Sequence, residues 1–316
     1  MQAIQVENVF KKYRNGVQAL NGISFTVQKG EIFSLLGQNG AGKSTLINIL
    51  TTYLQPTSGK VTMLGNDIAE NTLSIRPRIA CVAQRISIDT HLSLRENMMF
   101  QSKLYKIPTA EAKKRMEHLI SCFGLEHYMK YPVSSYSGGV KRRLDIALNM
   151  MSNPDILFLD EPTVGMDVQS RIAMWEMISK IREDFGTTIF LTTHYLEEAD
   201  NLSDTLCIIK DGKTVIQGTP SALREYLHRD ILKINFVEKE YAKRYLQEIS
   251  MLFNKAQIDV QGSTIVINTK NSQTDFHSVA NFIVQNNIPV LGIEIEQPTI
   301  EDVFVYLTAD NKEVCK

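Results

Sequence analysis

Gly37-Gln38-Asn39-Gly40-Ala41-Gly42-Lys43-Ser44-Thr45 follows an apolar run, Ile32–Leu36, and opens a helical pattern that reaches about Tyr53. The stretch fits GxxxxGK[ST] in the setting that pattern requires, after a strand and at the start of a helix. Glycines let such a loop wrap so that successive backbone N–H groups face one anionic centre. The helix N-terminus adds partial positive charge at the same place. The spacing puts Lys43 in reach of β- and γ-phosphates and the Ser44 hydroxyl on Mg²⁺. Gly37, Asn39, Gly40, Ala41, Gly42, Lys43, Ser44 and Thr45 are therefore the expected nucleotide-binding residues. By itself the motif implies a nucleoside triphosphate and leaves the enzyme open.

Outward from this loop, short apolar runs alternate with helical patterns over the first 230 residues or so, as in an α/β domain. Ile23–Val27 and Ile32–Leu36 flank the turn at Lys29-Gly30, and Lys60–Leu64 follows the turn Pro56–Gly59. Ile79–Ala83, Ile156–Asp160, Thr188–Thr192 and Thr205–Lys210 read as buried strands. Between Arg85 and Tyr136 the pattern is helical, with segments at Ser93–Tyr105, Thr109–Phe123 and Glu126–Tyr131. Past residue 228 the order strand, helix, hairpin, helix, strand (Ile231–Val237, Lys239–Phe253, Ile258–Val260 with Thr264–Asn268, Phe276–Asn286, Val290–Glu296) suggests a ferredoxin-like module. The expected domains are 1–228, with a helical insert at about 85–136, and 229–316.

Ile156-Leu157-Phe158-Leu159-Asp160 is an apolar strand that ends in an acid, with Glu161 next. Alternate strand residues point to opposite faces, so the chain must turn at the strand end to aim both carboxylates at one site. Asp160 is the candidate support for Mg²⁺, through a water. Glu161 is the candidate general base for an attacking water.

Composition excludes several classes. With 34 basic and 35 acidic residues the net charge is -1, which offers no general attraction to nucleic acid or an anionic membrane face. No apolar run approaches the roughly 20 residues that cross a bilayer. The first ten residues lack the pattern of a secretory signal. Cys81, Cys122, Cys207 and Cys315 are widely separated, with no CxxC pair, so reduced cytoplasmic thiols are expected.

Further motifs carry a resemblance. Ser137-Gly138-Gly139, after Tyr136 and before Val140-Lys141-Arg142-Arg143-Leu144-Asp145, is similar to the signature motif of ABC ATPases. Gln84 resembles the Q-loop glutamine, Val164-Gly165-Met166-Asp167 the D-loop, and His194 the switch histidine. Tyr13 matches the aromatic residue that stacks on adenine. The motifs stand in that family's order over residues 2–225. The resemblance implies a nucleotide-binding domain with a RecA-like core, an antiparallel β subdomain and a helical insert. It implies ATP and Mg²⁺ as ligands, with Ser44, Gln84 and Asp160 at the metal. Lys43, Gln84, Glu161 and His194 would serve catalysis. Ser137, Gly138 and Gly139 would reach the γ-phosphate bound by a second ATPase subunit, in a head-to-tail homodimer or heterodimer.

The sequence departs from the usual signature at Tyr136 and Val140, where leucine and glutamine are usual, and from the usual D-loop at Val164 and Met166. Tyr-Ser-Gly-Gly before a basic run resembles the drug, antibiotic and polysaccharide exporter branch. So does the tail, Pro298-Thr299-Ile300-Glu301-Asp302-Val303-Phe304-Val305-Tyr306-Leu307-Thr308, which looks like PTLEDVFLxLT. Its apolar spacing is helical, as for a docking helix. The resemblance implies a separate membrane permease, with this chain peripheral on the cytoplasmic face. A permease helix would dock near residues 85–105, where Met98, Met99, Phe100 and Leu104 are either dock or core. The run Glu111–Glu117 reads as a solvated helix face.

Rival readings are weaker. DNA-repair ABC ATPases need long coiled-coil arms, and translation types carry two cradles on one chain. A GTPase would show Asn-Lys-x-Asp. A pure interaction module remains if Glu161 is not the base.

Overall fold

The computed structural model describes residues 1–226, 230–253, 257–269 and 272–308. The chain divides into two compact units, Met1–Pro220 and Ser221–Lys316. The boundary expected at 228/229 falls among residues 227–229, outside the described residues.

The first unit contains two sheets. Strands β1 (Gln2–Lys12), β2 (Gln18–Gln28), β4 (Ser58–Met63) and β5 (Asn66–Asp67) form an antiparallel sheet in the order β2-β1-β4-β5. Strands β3 (Ile32–Gly37), β6 (Ile79–Val82), β7 (Ile156–Asp160), β8 (Thr188–Thr193), β9 (Thr205–Lys210) and β10 (Lys213–Gly218) form the second. Its order is β10-β9-β3-β8-β7-β6, parallel from β9 to β6, with β10 antiparallel at one edge.

The parallel strands are buried on both faces, which explains their continuous apolar runs. Alternate residues serve two different cores. Leu157, Leu159, Ile189 and Leu191 join the core that holds the helical insert. Ile156, Phe158, Phe33 and Phe190 join the core that holds the antiparallel sheet. In the latter, the rings of Phe25, Phe33 and Phe190 lie with centroids 5.2 to 6.0 Å apart.

Helix α1 (Lys43–Leu50) follows β3, and the short α2 (Thr72–Ile75) precedes β6. The insert holds α3 (Leu94–Leu104) and α4 (Thr109–Cys122), then 3-10 turns at Glu126–Lys130 and Val133–Ser135. Ser93 and Glu96 form a reciprocal capping box at the start of α3. Met98 belongs to the core, whereas Phe100 and Leu104 are exposed. On α4 only Ala112, Met116, Leu119 and Ile120 are buried, so its charges form an outer face. Helices α5 (Gly138–Met150), α6 (Val168–Phe185) and α7 (Leu196–Leu202) complete the unit before α8 (Pro220–Tyr226).

The second unit runs β11 (Asp230–Phe236), α9 (Lys239–Ser250), β12 (Gln257–Gln261), β13 (Thr264–Thr269), α10 (Ser272–Gln285), β14 (Val290–Glu296) and α11 (Ile300–Thr308). The sheet order is β12-β13-β11-β14, antiparallel throughout. Leu232, Ile234, Phe236, Ile265 and Ile267 pack with Ala242, Ile249, Val279 and Ile283 of α9 and α10 into a separate core. Before α11, Thr299 and Asp302 cap each other reciprocally, backbone N–H to side chain in both directions. That contact accounts for the Thr-x-x-Asp of the tail. Ile300 and Val303 are buried, while Val305 and Tyr306 are exposed.

Candidate nucleotide site

The cradle lies between the end of β3 and the start of α1. Gly42 caps α1 in the left-handed region at φ 105, and a Cβ there would lie 2.7 Å from the Ala19 carbonyl oxygen. Only glycine meets both demands without displacing backbone. Gly40 is also left-handed, at φ 86. The Lys43 ammonium is buried and donates to the carbonyl oxygens of Gly37 (2.6 Å) and Gln38 (3.3 Å). Burial pulls its pKa down, and the carboxylates of Glu161 and Asp160 work in the opposite direction. Ser44, one residue on, is exposed. The Tyr13 hydroxyl lies 3.1 Å from the Thr45 hydroxyl, which sets this ring beside the cradle's last residue.

One strand presents both acids, and its neighbour holds them. Asp160 ends β7, and its Oδ1 accepts from the Thr192 hydroxyl of neighbouring β8 at 2.7 Å. Glu161 then adopts φ 47, a left-handed conformation uncommon outside glycine. Its N–H donates to the Thr192 carbonyl oxygen at 3.0 Å. This turn is the one the paired carboxylates required. His194 Nδ1 lies 3.3 Å from Glu161 Oε1, and Gln84 Nε2 donates to Glu161 Oε2 at 3.3 Å. Three residues from three loops thus meet at one carboxylate.

The signature segment shares a cleft with Gln84 and Glu161. Ser137 accepts from the Val140 N–H and caps α5, and Gly138 and Gly139 begin that helix. A cleft of about 210 Å³ is lined by Ser137–Gly139, Gln84, Glu161 and the D-loop. No residue of the Gly37–Thr45 cradle lines it. Tyr136, the departure from leucine, is buried and its hydroxyl donates to the Tyr128 carbonyl oxygen at 2.5 Å. Among the described residues, Cys81, Cys122 and Cys207 are free thiols. Cys315 lies outside them.

Several contributors escaped the sequence reading. Thr192 holds both acids, yet a threonine in a buried strand gives no sequence signal. Arg142 and Asp145 form a buried pair on α5, with Nη1 and Oδ2 3.6 Å apart. Nothing in the sequence marked the pair, because Arg142 stands in a basic run that reads as a solvated face. Glu198, fully buried on α7, accepts from the Thr163 hydroxyl (2.8 Å) and Trp175 Nε1 (3.1 Å).

Residues 20–164 match the ABC transporter family. The chain is 33% identical over 311 residues to the daunorubicin/doxorubicin resistance ATP-binding protein of Streptomyces peucetius, covering 97% of this chain and 92% of that one. This chain belongs to the ABC transporter family. It is an ATP-binding, ATP-hydrolysing subunit of that family. The linearmycin resistance ATP-binding protein of Bacillus subtilis is 33% identical over 307 residues, 96% of this chain and 98% of the relative. Among solved structures, cbiO1 from Clostridium perfringens, part of the transporter complex cbiONQ, superposes with a TM-score of 0.66 at 26% identity. That match covers 79% of this chain and 95% of that one. A dimeric ATP-binding cassette bound to ADP and Pi after hydrolysis gives a TM-score of 0.60 at 26% identity, over 68% of this chain and 98% of the other. Among the described residues of this ABC subunit, no helix is long and apolar enough to cross a membrane.

Proposed function

We propose that this chain powers export of a drug-like or antibiotic compound, as one of two ATPase subunits working beneath a separate membrane permease. The observation that carries the proposal is the Glu161 carboxylate held between Gln84 and His194, each at 3.3 Å. An acid so placed next to Asp160 suits proton transfer from a water attacking a γ-phosphate.

The residues divide the work as follows. Lys43 and the N–H groups of the Gly37–Thr45 loop hold the phosphates, and Tyr13 stacks on the adenine. Glu161 takes the proton of the attacking water, and His194 and Gln84 orient that carboxylate. Ser44, Asp160 and Gln84 offer hydroxyl, carboxylate and amide oxygens, a hard-donor set suited to Mg²⁺. When bound, Mg²⁺ would neutralise charge on the phosphate oxygens. Ser137, Gly138 and Gly139 serve the nucleotide of the opposite subunit. That no cradle residue of the same chain lines their cleft supports that assignment. A site split over two subunits ties hydrolysis to closure, so that nucleotide holds the pair together and its loss releases it.

Exposed Phe100 and Leu104 on α3 supply an apolar surface for a permease helix, which would place the chain on the cytoplasmic face. The names of the resistance-protein relatives support the export direction and the cargo class. The unit past Pro220 is an accessory, regulatory domain on this reading.

The test uses the purified full chain with Glu161→Gln. With ATP and Mg²⁺ the variant should run as a stable dimer in light scattering, and chelation of Mg²⁺ should return it to monomer. A variant that stays monomeric at saturating ATP would defeat the proposal.

A further inference from the structure

Arg142 stands outside every phosphate-contacting motif, yet it is 3% exposed and its guanidinium reaches into the middle of the site. Nη2 donates to the Asp160 carbonyl oxygen at 3.0 Å and Nε to the Pro162 carbonyl oxygen at 3.2 Å. Nη1 donates to the Ala83 carbonyl oxygen. The first two carbonyls bracket Glu161, and the third directly precedes Gln84. Asp145, one helical turn on, supplies the countercharge and is held by the Ser87 hydroxyl at 2.8 Å.

A buried cation is costly unless paired and hydrogen-bonded. Here its fork is committed to the backbone on both sides of the one carboxylate that the other site residues converge on. Glu161 needs such support. A non-glycine residue in a sparsely populated region costs about 1–3 kcal/mol and persists only where its surroundings over-determine it. At φ 47 Glu161 is in that position.

We propose that Arg142 is a positioning residue that sets the backbone of Glu161 and Gln84 from the signature helix. The same helix carries Ser137–Gly139 at its capped end, so the segment offered to a second subunit and the base of this one share a rigid element. The proposal rests on Glu161 being the base.

The experiment measures ATP turnover by the purified full chain against ATP concentration. Arg142→Lys keeps the charge but cannot reach three carbonyls from one planar fork. Arg142→Gln removes the charge as well. Both should lower kcat at least tenfold and leave KM for ATP within threefold, because the cradle makes no contact with the guanidinium. Misplacement of a reacting group by about 1 Å can cost 100-fold. Asp145→Asn breaks the ion pair but leaves the carbonyl contacts, and should hold kcat within threefold of wild type. Either Arg142 variant turning over at more than half the wild-type rate overturns the proposal. So does an Asp145→Asn loss as large as that of Arg142→Lys, which would trace the effect to the pair itself. Glu161→Gln runs alongside. If that variant keeps turnover, the base assignment fails, whatever Arg142 does.

Discussion

His194 approaches Glu161 from the end of β8, its Nδ1 3.3 Å from Oε1, while Gln84 holds Oε2 from beyond β6. The strand between them, β7, delivers the acid itself. A carboxylate flanked from both neighbouring strands has its orientation set before any substrate arrives, which is the condition for effective proton transfer.

Glu161→Gln should therefore lower phosphate release at saturating ATP by roughly 100-fold or more, the size of general-base effects. Nucleotide affinity should stay within threefold, since the cradle is intact. His194→Ala should give a smaller loss by freeing one side of the carboxylate. Steady-state turnover with a fluorescent-nucleotide titration checks both. Equal turnover in wild type and Glu161→Gln would remove the base from Glu161.

Lys43 is committed to the Gly37 and Gln38 carbonyl oxygens and is buried, so its charge has little water to lean on. A phosphate offers it a better partner. Lys43→Ala removes a charged hydrogen bond worth about 1.5–3 kcal/mol, so affinity for ATP should weaken roughly 10- to 100-fold. A titration showing unchanged affinity would contradict the cradle assignment.

The parts that could be read from residues alone are those where local chemistry is unambiguous. Gly42 reads as a cradle glycine because its left-handed φ and close approach to Ala19 admit nothing larger. The five residues Ile156–Asp160 read as a buried strand because both faces of that sheet are covered. β1 went unread. It pairs with β2 through several register irregularities, and its burial alternates poorly, so no period of two marks it. Arg142 went unread for a different reason. A basic run is ordinarily a solvated face, and only tertiary contact shows that one of its members is buried. In the tail, the strand and helix order was legible because each helix has an apolar stripe.

Tyr136 replaces the usual leucine with a side chain that needs a partner, and it finds the Tyr128 carbonyl oxygen. Burial pushes the phenol's pKa up, keeping it a donor. Tyr136→Leu should cost about 1 kcal/mol of stability, the usual net value of one internal hydrogen bond. Turnover per folded molecule should remain within twofold, because the Ser137 hydroxyl and the backbone after it are unchanged. Denaturant midpoints together with ATPase rates test this, and a tenfold loss of turnover would place Tyr136 in the working site instead.

Glu198 offers a test by pH. Burial pushes its carboxyl above the ordinary 4.5, against hydrogen bonds from Thr193, Thr163 and Trp175 and the charge of Arg171. In the unfolded chain the same group ionises near 4.5, so as pH rises past that value the unfolded state gains and the folded state does not. Glu198 thus takes stability away with increasing pH, up to its own folded pKa. Glu198→Gln keeps an oxygen to accept from Thr163 and Trp175 and carries no charge to bury. Its stability relative to wild type should therefore improve as pH rises above about 4.5 and level off once the folded carboxyl ionises, read as the difference in unfolding midpoints at each pH over that rise. A difference that stays flat across that range would mean that Glu198 ionises alike in both states, and the buried carboxyl would have no titration to exploit.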